Sequence, residues 1–447
     1  MRKAIQAKDY FLLVGPPGTG KTSRGLMYIL QEQLLQSDLP ILLTAYTNRA
    51  VDEICDKLVA YNQANSDSPI EFLRLGSRSA TDNFYASYFL AQKVEDNCKT
   101  KAEVIDLLKK TRVFVGTTSS VLANLRLTKL LHFSMAIVDE ASQLIEPQMV
   151  GLFCAKDGEG NNAIDKFVLI GDYKQLPAVV LQTEKQSAVT DLLLQEIGLQ
   201  NCRNSLFERL YCRNTNSDIV FVMTRQGRMH KQVSGFSNEK FYGGELKPLL
   251  ARQKKALSFS VYDEESKLFS LLATNRTAFI SVEQEKKILS DKVNRAEARL
   301  IAQMVIAVKT LYLKNNKEFL ADQTIGVIVP YRNQISAIRS ELQNFDCEEY
   351  NEITIDTVER FQGSERDVII YGFTIQRAYQ LSFLTSNVIL ENNQLIDRKL
   401  NVALTRAREQ LFVVGNVDLL SQFPLFKQLV DDYESKGLLF DSNDLEF

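Results

Sequence analysis

The feature that most constrains this chain is a glycine-rich segment that lies between a short apolar run and a helix-like pattern. The segment reads Gly15-Pro16-Pro17-Gly18-Thr19-Gly20-Lys21-Thr22. Residues 11–14 before it are typical of a buried strand, and residues 22–36 have the pattern of a helix. A strand, then GxxxxGK[ST], then a helix is the setting in which backbone N–H groups turn inward around a phosphate. The sequence therefore predicts a binding site for the phosphates of ATP.

Two side chains of this segment have specific expected roles. Lys21 should reach the β- and γ-phosphates, and Thr22 should hold Mg²⁺. The helix N-terminus adds partial positive charge beside the phosphates. The rest of the nucleotide-binding backbone is expected to come from Gly15, Pro16, Pro17, Gly18, Thr19, Gly20 and Ser23.

A second apolar run, residues 136–138, ends in the two carboxylates Asp139 and Glu140. At the carboxyl end of a parallel strand, such groups can meet a bound nucleotide. Asp139 is then expected to bind Mg²⁺, and Glu140 to act as the general base that polarises the attacking water. A strand that ends in acidic residues is, by itself, more often a solvated turn. Downstream of a phosphate-binding segment, the functional interpretation is favoured.

A third apolar run, residues 167–170, is also followed directly by polar groups. The sequence after it reads Gly171-Asp172-Tyr173-Lys174-Gln175-Leu176-Pro177. Because it ends a predicted buried strand, Gln175 could sense the γ-phosphate or orient the attacking water.

Apolar runs alternate with helix-like segments, which predicts an α/β fold with a parallel sheet covered on both faces. The predicted strands of the first half are 11–14, 41–44, 72–75, 113–115, 136–138 and 167–170, with helices at 22–36, 50–61 and 101–110. The pattern restarts after a polar stretch around 211–218, with predicted strands 279–282, 325–329, 353–357, 368–373 and 411–414. Residues 247–275 are weakly periodic and receive no assignment. We therefore predict one domain over 1–210 and a second over 211–447.

Composition narrows the class of protein without deciding its function. The 447 residues are 45% hydrophobic and 24% charged, which is typical of globular domains, and no apolar run approaches the ~18 residues of a membrane span. Six scattered cysteines and two histidines predict buried reduced thiols rather than a zinc or iron–sulfur site. The net charge of −2 leaves nucleic-acid binding open, because that binding needs only a local basic track. We expect a cytoplasmic protein.

These motifs together resemble superfamily 1 helicases of the B branch. The resemblance begins at residues 139–143 (DEASQ) and the GDxxQLP segment. It continues through 226–230 (QGRMH), 329–332 (VPYR), 357–367 (TVERFQGSERD) and 401–408 (NVALTRAR). Within that branch the chain is similar to the group that holds the nonsense-mediated-decay RNA helicase and the eukaryotic flap-processing nuclease-helicase. The resemblance implies two RecA-like P-loop NTPase lobes, each a mainly parallel sheet, with the ATP site in the cleft between them.

The resemblance also implies roles for residues of the second half. A γ-phosphate needs positive charge that can approach it, and rigid guanidinium groups suit this role better than lysine. Arg228 and Arg406 are the candidates, and Glu365 is expected to hydrogen-bond the ribose. Without the resemblance, each arginine would more often be a surface ion pair. His230, beside a methionine, is expected to be a hydrogen-bonded structural residue.

Hydroxyl and amide side chains at the ends of predicted strands can bind phosphates without reading bases, although such clusters are also common helix caps. The resemblance favours contact with a nucleic-acid strand at Thr47, Asn48, Thr118, Tyr331, Arg332 and Thr357. It implies a monomeric motor that moves 5′ to 3′ on a single strand. Segments 8–10 and 72–76 look closer to the flap-processing relative, which favours DNA over RNA.

The chain departs from the family pattern near its start and at Gly227. The glutamine segment that reads adenine in this family does not precede Gly15, and Gly227 replaces an aromatic residue that packs near the base. The accessory barrel and the nuclease domain of the relatives are not found in the sequence either. The alternative hypothesis is a truncated or inactive nucleotide- or nucleic-acid-binding module of a larger nuclease-helicase assembly. The complete set of motif residues opposes that alternative.

Overall fold

The computed structural model describes residues 2–77, 83–214, 218–260, 266–285, 288, 290–345 and 347–445. The chain divides into two units by its internal contacts. The first unit is Met1–Tyr173 with Pro177–Thr224, and the second is Lys174–Leu176 with Arg225–Phe447. The first unit continues past residue 210, because a strand at Val220–Val222 pairs with its sheet. Residues 215–217 of the polar stretch, and residues 261–265 of the unassigned segment, lie outside the described residues.

The first unit is built on a parallel sheet, as the alternating sequence pattern predicts. Its strands are β1 Tyr10–Val14, β2 Ile41–Ala45, β3 Phe72–Leu75, β4 Val113–Thr117, β5 Met135–Asp139, β6 Phe167–Gly171 and β7 Val220–Val222. They lie in the order β3-β4-β2-β5-β6-β1-β7, and every neighbouring pair is parallel. Central residues such as Leu43 and Ile137, which are in register, are fully buried. Near-continuous apolar runs form these strands because both faces of the sheet are covered.

Helices connect the strands of the first unit. They are α1 Arg2–Gln6, α2 Met27–Gln36, α3 Asn48–Ala64, α4 Leu90–Asn97, α5 Lys101–Lys110, α6 Thr118–Ala123, α7 Glu146–Phe153, α8 Glu184–Ser187, α9 Leu192–Glu196 and α10 Leu206–Arg213. The three helices predicted for this half are confirmed. The predicted helix over 22–36 begins as a π-helical turn, Lys21–Leu26, which continues into α2.

The second unit contains another parallel sheet and two short strand pairs. Its strands are β8 Arg225–Gln226, β9 Lys247–Pro248, β10 Thr277–Ser281, β11 Ile325–Ile328, β12 Thr354–Asp356, β13 Arg366–Gly372, β14 Val388–Glu391, β15 Gln394–Asp397, β16 Ala407–Gly415 and β17 Leu439–Asp441. The main sheet has the order β12-β11-β13-β16-β10-β17, and all of its pairs are parallel. Neighbouring residues alternate between two apolar cores: Ile280 and Ile370 belong to one, Phe279 and Ile369 to the other.

The helices of the second unit include one long amphipathic helix that packs on this sheet. They are α11 Gly235–Tyr242, α12 Lys267–Thr274, α13 Arg295–Lys314, α14 Ala321–Thr324, α15 Arg332–Gln343, α16 Val358–Phe361, α17 Leu381–Leu384, α18 Arg398–Leu404, α19 Val417–Leu420 and α20 Pro424–Ser435. The predicted α/β class is confirmed in both units. Among the described residues, no helix combines the length and the apolar character needed to cross a bilayer.

The strands that sequence patterns missed are short or lie at sheet edges. β7 and β17 have three residues each and lie at sheet edges, where their side chains are partly or fully exposed. The β14–β15 hairpin turns at Asn392 and Asn393, whose φ angles are 49° and 62°. Two left-handed residues form the hairpin turn that suits twisted strands, and asparagine tolerates that conformation. The Asn-Asn pair was therefore a usable signal.

Candidate functional site

The loops that carry the predicted nucleotide-binding residues come together at one edge of the first sheet. β5, β6 and β1 are consecutive neighbours in that sheet, and their carboxyl ends lie side by side because all three strands are parallel. β1 ends at Val14 before the glycine-rich segment, and β5 ends at Asp139. This is the edge at which open α/β sheets bind ligands.

The glycine-rich segment has a backbone that larger residues could not adopt without strain. Gly18 and Gly20 have left-handed φ angles of 73° and 77°. A Cβ on Gly15 would lie 2.6 Å from Cβ of Lys21, so the loop passes too close to its own lysine for any side chain there. The hydroxyl of Thr19 donates to the carbonyl of Pro16 at 2.7 Å. These features fold the loop into a cradle at the start of a helical segment.

Four predicted side chains meet within this cradle as two pairs. Nζ of Lys21 lies 2.7 Å from Oε1 of Glu140, and both side chains are mostly buried. Oγ1 of Thr22 donates to Oδ2 of Asp139 at 2.6 Å. Hydroxyl and carboxylate oxygens are the ligands that Mg²⁺ prefers, and it usually binds with few protein groups and several waters. Thr22 and Asp139 therefore fit the expected role of holding Mg²⁺.

The electrostatics of the cradle are dominated by burial and by closely spaced opposite charges. Burial raises the pKa of Asp139 to about 6, and the neighbouring Glu140 carboxylate adds to the shift. Burial opposes the charged form of Lys21, but Glu140 and Asp139 outweigh it, so the pKa of Lys21 is raised. The lysine consequently keeps its positive charge, which a phosphate-binding role requires.

Glu140 is held in a strained conformation with a specific orientation. Its φ angle is 51°, in the left-handed region that is uncommon for a residue with a side chain and costs conformational free energy. Nε2 of Gln143 donates to Oε2 of Glu140 at 3.0 Å. Gln143 was part of the recognised motif but had no role assigned from sequence. The structure shows that it orients the expected general base.

Two further acidic residues belong to this electrostatic environment and had no predicted role. Burial, together with Glu140 and Asp139, raises the pKa of Glu53 to about 7. Glu53 lies on α3, a helix that contacts the turn carrying Lys21. Asp172 is buried and contributes to the raised pKa of Lys21. Asp172 lies in the GDxxQLP motif, whereas no short motif marks Glu53, whose influence depends on which segments become neighbours.

In the second unit, the two arginines predicted to act on the γ-phosphate lie beside each other. Nη1 of Arg228 donates to the carbonyl of Thr405 at 3.2 Å, and Nη2 of Arg406 donates to the hydroxyl of the same threonine at 3.3 Å. Nε of Arg228 also pairs with Glu365. Burial disfavours the charged form of Glu365, but Arg228, Arg408 and Arg406 outweigh it and lower its pKa. Glu365, the predicted ribose contact, thus occupies an arginine cluster.

Gln175 groups with this arginine cluster rather than with the strand that precedes it. Residues Lys174–Leu176 belong to the second unit. Oε1 of Gln175 accepts from Nη2 of Arg406 at 3.0 Å, and Asn401 donates to the carbonyl of Lys174 at 2.7 Å. Sequence order alone would have placed Gln175 with β6. The contact with Arg406 links two motifs that are far apart in the chain.

The predicted nucleic-acid residues of the first unit differ in exposure. Thr47 and Asn48 are exposed at the start of α3, where the hydroxyl of Thr47 accepts from the N–H of Ala50. Thr118 is buried, and its hydroxyl is shared with Thr44 at 3.2 Å. The Thr118 hydroxyl is therefore engaged inside the fold, and the expected strand contact at Thr118 stays a prediction. For Thr47, capping and strand binding remain compatible.

The predicted nucleic-acid residues of the second unit cluster at the carboxyl ends of neighbouring strands. Tyr331 follows β11 and immediately precedes α15, Arg332 is exposed beside it, and Thr357 follows β12 and immediately precedes α16. β11 and β12 are paired in parallel, so these residues share one edge of the sheet. The ring of Tyr331 is half-buried and stacked on Phe383.

The remaining histidine and cysteine expectations have mixed outcomes. His230 is buried, and its Nε2 lies 3.0 Å from the carbonyl of Lys255, which agrees with a structural role. Burial, with help from Arg276, lowers the pKa of His230. All six cysteines are unbridged, and Cys55 is buried as expected. Cys154 and Cys212 are exposed, contrary to the prediction, because they lie at the ends of α7 and α10 outside the core.

Comparison with known proteins assigns the class of this fold. Two family models described as AAA domain match the chain, one over residues 1–112 and 99–183 and the other over 202–418. Both units therefore carry the AAA-domain signature of P-loop nucleotide-binding proteins. The chain belongs to the superfamily 1 helicases within this class, and it resembles the helicase region of the replication helicase/nucleases.

The similar proteins are longer than this chain. The DNA replication ATP-dependent helicase/nuclease DNA2 of Xenopus laevis is 29% identical over 99% of this chain and 39% of its own length. The helicase/nuclease JHS1 of Arabidopsis thaliana is 31% identical over 98% of this chain and 29% of its own length. The DNA polymerase alpha-associated DNA helicase A of Saccharomyces cerevisiae is 28% identical over 93% of this chain and 63% of its length. The chain thus spans about two fifths or less of the helicase/nucleases it matches. A solved structure of arterivirus nonstructural protein 10 (helicase) in complex with DNA aligns over 95% of this chain and 65% of the viral chain. The TM-score is 0.42 and the sequence identity is 13%.

Proposed function

We propose that this chain couples ATP hydrolysis to movement along single-stranded DNA, as a monomeric motor that steps 5′ to 3′. The observation that carries the proposal is the pairing of Lys21 with Glu140 and of Thr22 with Asp139 in one cradle. These four residues are the ones that bind phosphate, polarise water and hold Mg²⁺ in P-loop enzymes. The direction and the choice of DNA rest on the resemblance to the B branch and to its DNA-acting relatives.

The geometry suggests how nucleotide binding prepares the site for hydrolysis. Lys21 and Glu140 neutralise each other in the structure. A triphosphate in the cradle offers Lys21 a stronger negative partner, which releases Glu140 from the lysine. Gln143 then keeps Glu140 oriented toward an incoming water. Binding the substrate therefore switches the base from an ion-pair partner to a proton acceptor.

Hydrolysis is expected to follow the usual in-line route of phosphoryl transfer. Glu140 accepts a proton from water, whose oxygen bonds to the γ-phosphorus while the bond from that phosphorus to the bridging oxygen of ADP breaks. Mg²⁺ held by Thr22 Oγ1, and through its water shell by Asp139, would neutralise charge on the phosphate oxygens. Arg228 and Arg406 are the groups we assign to the γ-phosphate, with Gln175 positioned through Arg406.

The nucleic-acid strand is assigned to the sheet ends that carry the predicted contact residues. In the first unit these are the exposed Thr47 and Asn48, and in the second they are the exposed Arg332 with the partly buried Tyr331 and Thr357. Such groups contact the phosphate backbone without reading sequence. Alternating grip between the units would turn each ATP cycle into a step. The proposal includes a cytoplasmic location and leaves open a larger nuclease-helicase assembly as partner.

The direct test is the ATPase rate with and without single-stranded DNA. We expect strong stimulation by an oligo(dT) strand in the wild-type chain, and loss of hydrolysis in Lys21→Ala at unchanged fold. A folded wild-type chain whose ATPase rate ignores every nucleic acid would contradict the motor proposal. If wild type and Lys21→Ala were equally inactive, the alternative of a non-motor binding module would replace it. Strand displacement on 5′- and 3′-tailed DNA and RNA substrates then decides direction and chemistry.

A further inference from the structure

An aromatic pair lies at the sheet edge to which the second unit's strand contacts are assigned. The rings of Tyr331 and Phe383 are stacked, with centroids 5.2 Å apart and an interplanar angle of 21°. Tyr331 follows β11, and Phe383 lies on α17, in the segment that follows β13. β11 and β13 are parallel neighbours, so both aromatic residues come from the carboxyl ends of adjacent strands.

The Tyr331 side chain is held in place by Phe383 on one ring face and by a hydrogen bond at its hydroxyl group. Nε2 of Gln380 donates to the tyrosine hydroxyl at 3.2 Å, and Gln380 is itself 3% exposed. Oε1 of Gln380 accepts from the backbone N–H groups of Gln376 and Arg377. Burial raises the pKa of Tyr331 further above its usual range. One face of the Tyr331 ring is covered by Phe383, so Tyr331 acts as a support.

Phe383, in contrast, is exposed over 44% of its surface. Part of the Phe383 ring therefore faces solvent, beside a neighbouring ring that is held in place. Nζ of Lys399 lies 5.0 Å from the centre of the Phe383 ring. A cation beside an aromatic ring is the combination that single-strand binding proteins present to a base and its phosphate.

We propose that Phe383 is a stacking platform for an unpaired base, with Tyr331 as its backing ring and Lys399 swinging from the ring to the adjacent phosphate. This inference rests on the proposed function, because it names how that function's strand is held. It commits to a strand with bases, since a π-face recognises any base but not a bare backbone. It also assigns the base contact to Phe383, whereas the sequence predicts a strand contact at Tyr331.

The charges around the platform indicate that stacking is the main attraction. Lys399 pairs with Glu359 at 3.1 Å, and Arg377 pairs with Asp291 at 2.8 Å. Each cation is therefore largely balanced by a carboxylate, so the platform adds little net charge for phosphates. Salt weakens binding in proportion to the number of phosphate contacts. Loss of the Phe383 ring should thus weaken binding by the same factor at low and at moderate salt.

The test compares base-bearing and abasic strands of equal length. Fluorescence anisotropy of the full chain would measure Kd for a labelled oligo(dT) and for an abasic-spacer strand, at two salt concentrations. We expect wild type to prefer oligo(dT) by roughly ten-fold or more, and Phe383→Ala and Phe383→Leu to lose that preference while binding the abasic strand as wild type does. Phe383→Leu keeps an apolar side chain without a π-face, which separates stacking from packing.

The matched control is Phe345→Ala, which removes a phenylalanine of similar exposure, 41%, that follows the C-cap residue of α15. This variant should keep the wild-type preference. If the Phe383 variants also keep it, the platform is overturned while the motor proposal stands. If wild type binds neither strand, the motor proposal fails and the platform fails with it. A loss of affinity that is equal on both strands would also overturn stacking.

Discussion

The two units share a parallel-sheet architecture but carry the residues predicted to act on ATP at opposite edges of their sheets. In the first unit, Lys21 and Glu140 meet at the carboxyl ends of β1 and β5. In the second unit, Glu365 and Arg406 directly precede β13 and β16, so the arginine cluster lies at the amino ends of those strands. The carboxyl ends of the second sheet carry Tyr331 and Phe383, with the ion pairs of Arg377 with Asp291 and of Lys399 with Glu359 around them.

This difference shows that the two edges of a parallel sheet can both carry functional groups, and that the residues of the adjoining loops determine which edge does so. The carboxyl edge of the first sheet offers backbone N–H groups and a helix start, which attract anions. In the second unit, Arg406 donates to the carbonyl group of Val402 in α18, and Arg228 donates to that of Thr405 directly after α18. Both arginines are favoured there because a helix C-terminus carries partial negative charge. One sheet type therefore supports both a phosphate cradle and a cation cluster.

The largest expected effect tests the cation cluster. Arg406→Ala and Arg406→Lys should lower kcat by roughly 10³- to 10⁵-fold if the guanidinium acts on the γ-phosphate, since lysine lacks the planar fork. Steady-state ATPase at saturating oligo(dT) measures this. Arg339→Ala is the control, because Arg339 also donates to carbonyl groups in the second unit but lies on α15. If Arg406→Ala stayed within ten-fold of wild type, the cluster would be structural only.

A somewhat smaller effect tests the cradle of the first unit. Glu140→Gln removes the proton acceptor and should lower kcat by roughly 10²- to 10⁴-fold. ATP binding should not weaken, because Lys21 would no longer be paired with a carboxylate. Fluorescent-nucleotide titration and ATPase rates separate the two quantities. The control is Glu146→Gln. Glu146 also follows β5, but it pairs with Arg209, so its loss should leave kcat unchanged. A large loss of nucleotide affinity in Glu140→Gln would contradict the assignment of Glu140 as base.

The first unit buries an arginine that is paired with a carboxylate, whereas the second unit buries a carboxyl group that accepts hydrogen bonds from a threonine. The free energy of unfolding tests the arginine pair first. Arg74 is 1% exposed; it pairs with Asp52 and lies over the rings of Tyr85 and Phe89. Asp52→Ala leaves this guanidinium without its carboxylate and should lower the free energy of unfolding by about 3 kcal/mol. Asp431→Ala, in an exposed pair with Lys427, should change it by less than about 0.5 kcal/mol. Urea unfolding of both variants gives the comparison, and equal midpoints would refute it.

The second case is the carboxyl group of Glu297, which is fully buried in the second unit. Burial raises its pKa from 4.5 to about 8, although Thr374 donates to both of its oxygens from the backbone N–H. Between pH 4.5 and 8 the unfolded chain loses this proton and the folded chain keeps it, so stability should fall as pH rises through that window. Glu297→Gln should flatten this part of the stability–pH curve by an amount on the order of a few kcal/mol. Thermal melts from pH 5 to 8 would show no such difference if Glu297 were ionised in the fold.

Short-range patterns in the sequence determined the order of strands and helices and the identity of the phosphate-binding segment. The buried strands of the first unit are near-continuous apolar runs, and the glycine pattern before Lys21 requires left-handed backbone at Gly18 and Gly20. Both signals are local, because they depend on residues close together in the chain. The edge strands β7 and β17 were not predicted, although the equally short edge strand β12 was; their side chains are less buried than those of the central strands.

Only the tertiary structure decided which of these local pieces touch. The pairing of Lys21 with Glu140 depends on the sheet order β5-β6-β1, which no local pattern specifies. The burial of Thr118 and the covering of Tyr331 by Phe383 have the same origin, since each depends on a neighbouring segment that is distant in sequence. Contacts between distant segments arise from packing of whole elements, and that packing determines which of the motif side chains remain available to a ligand.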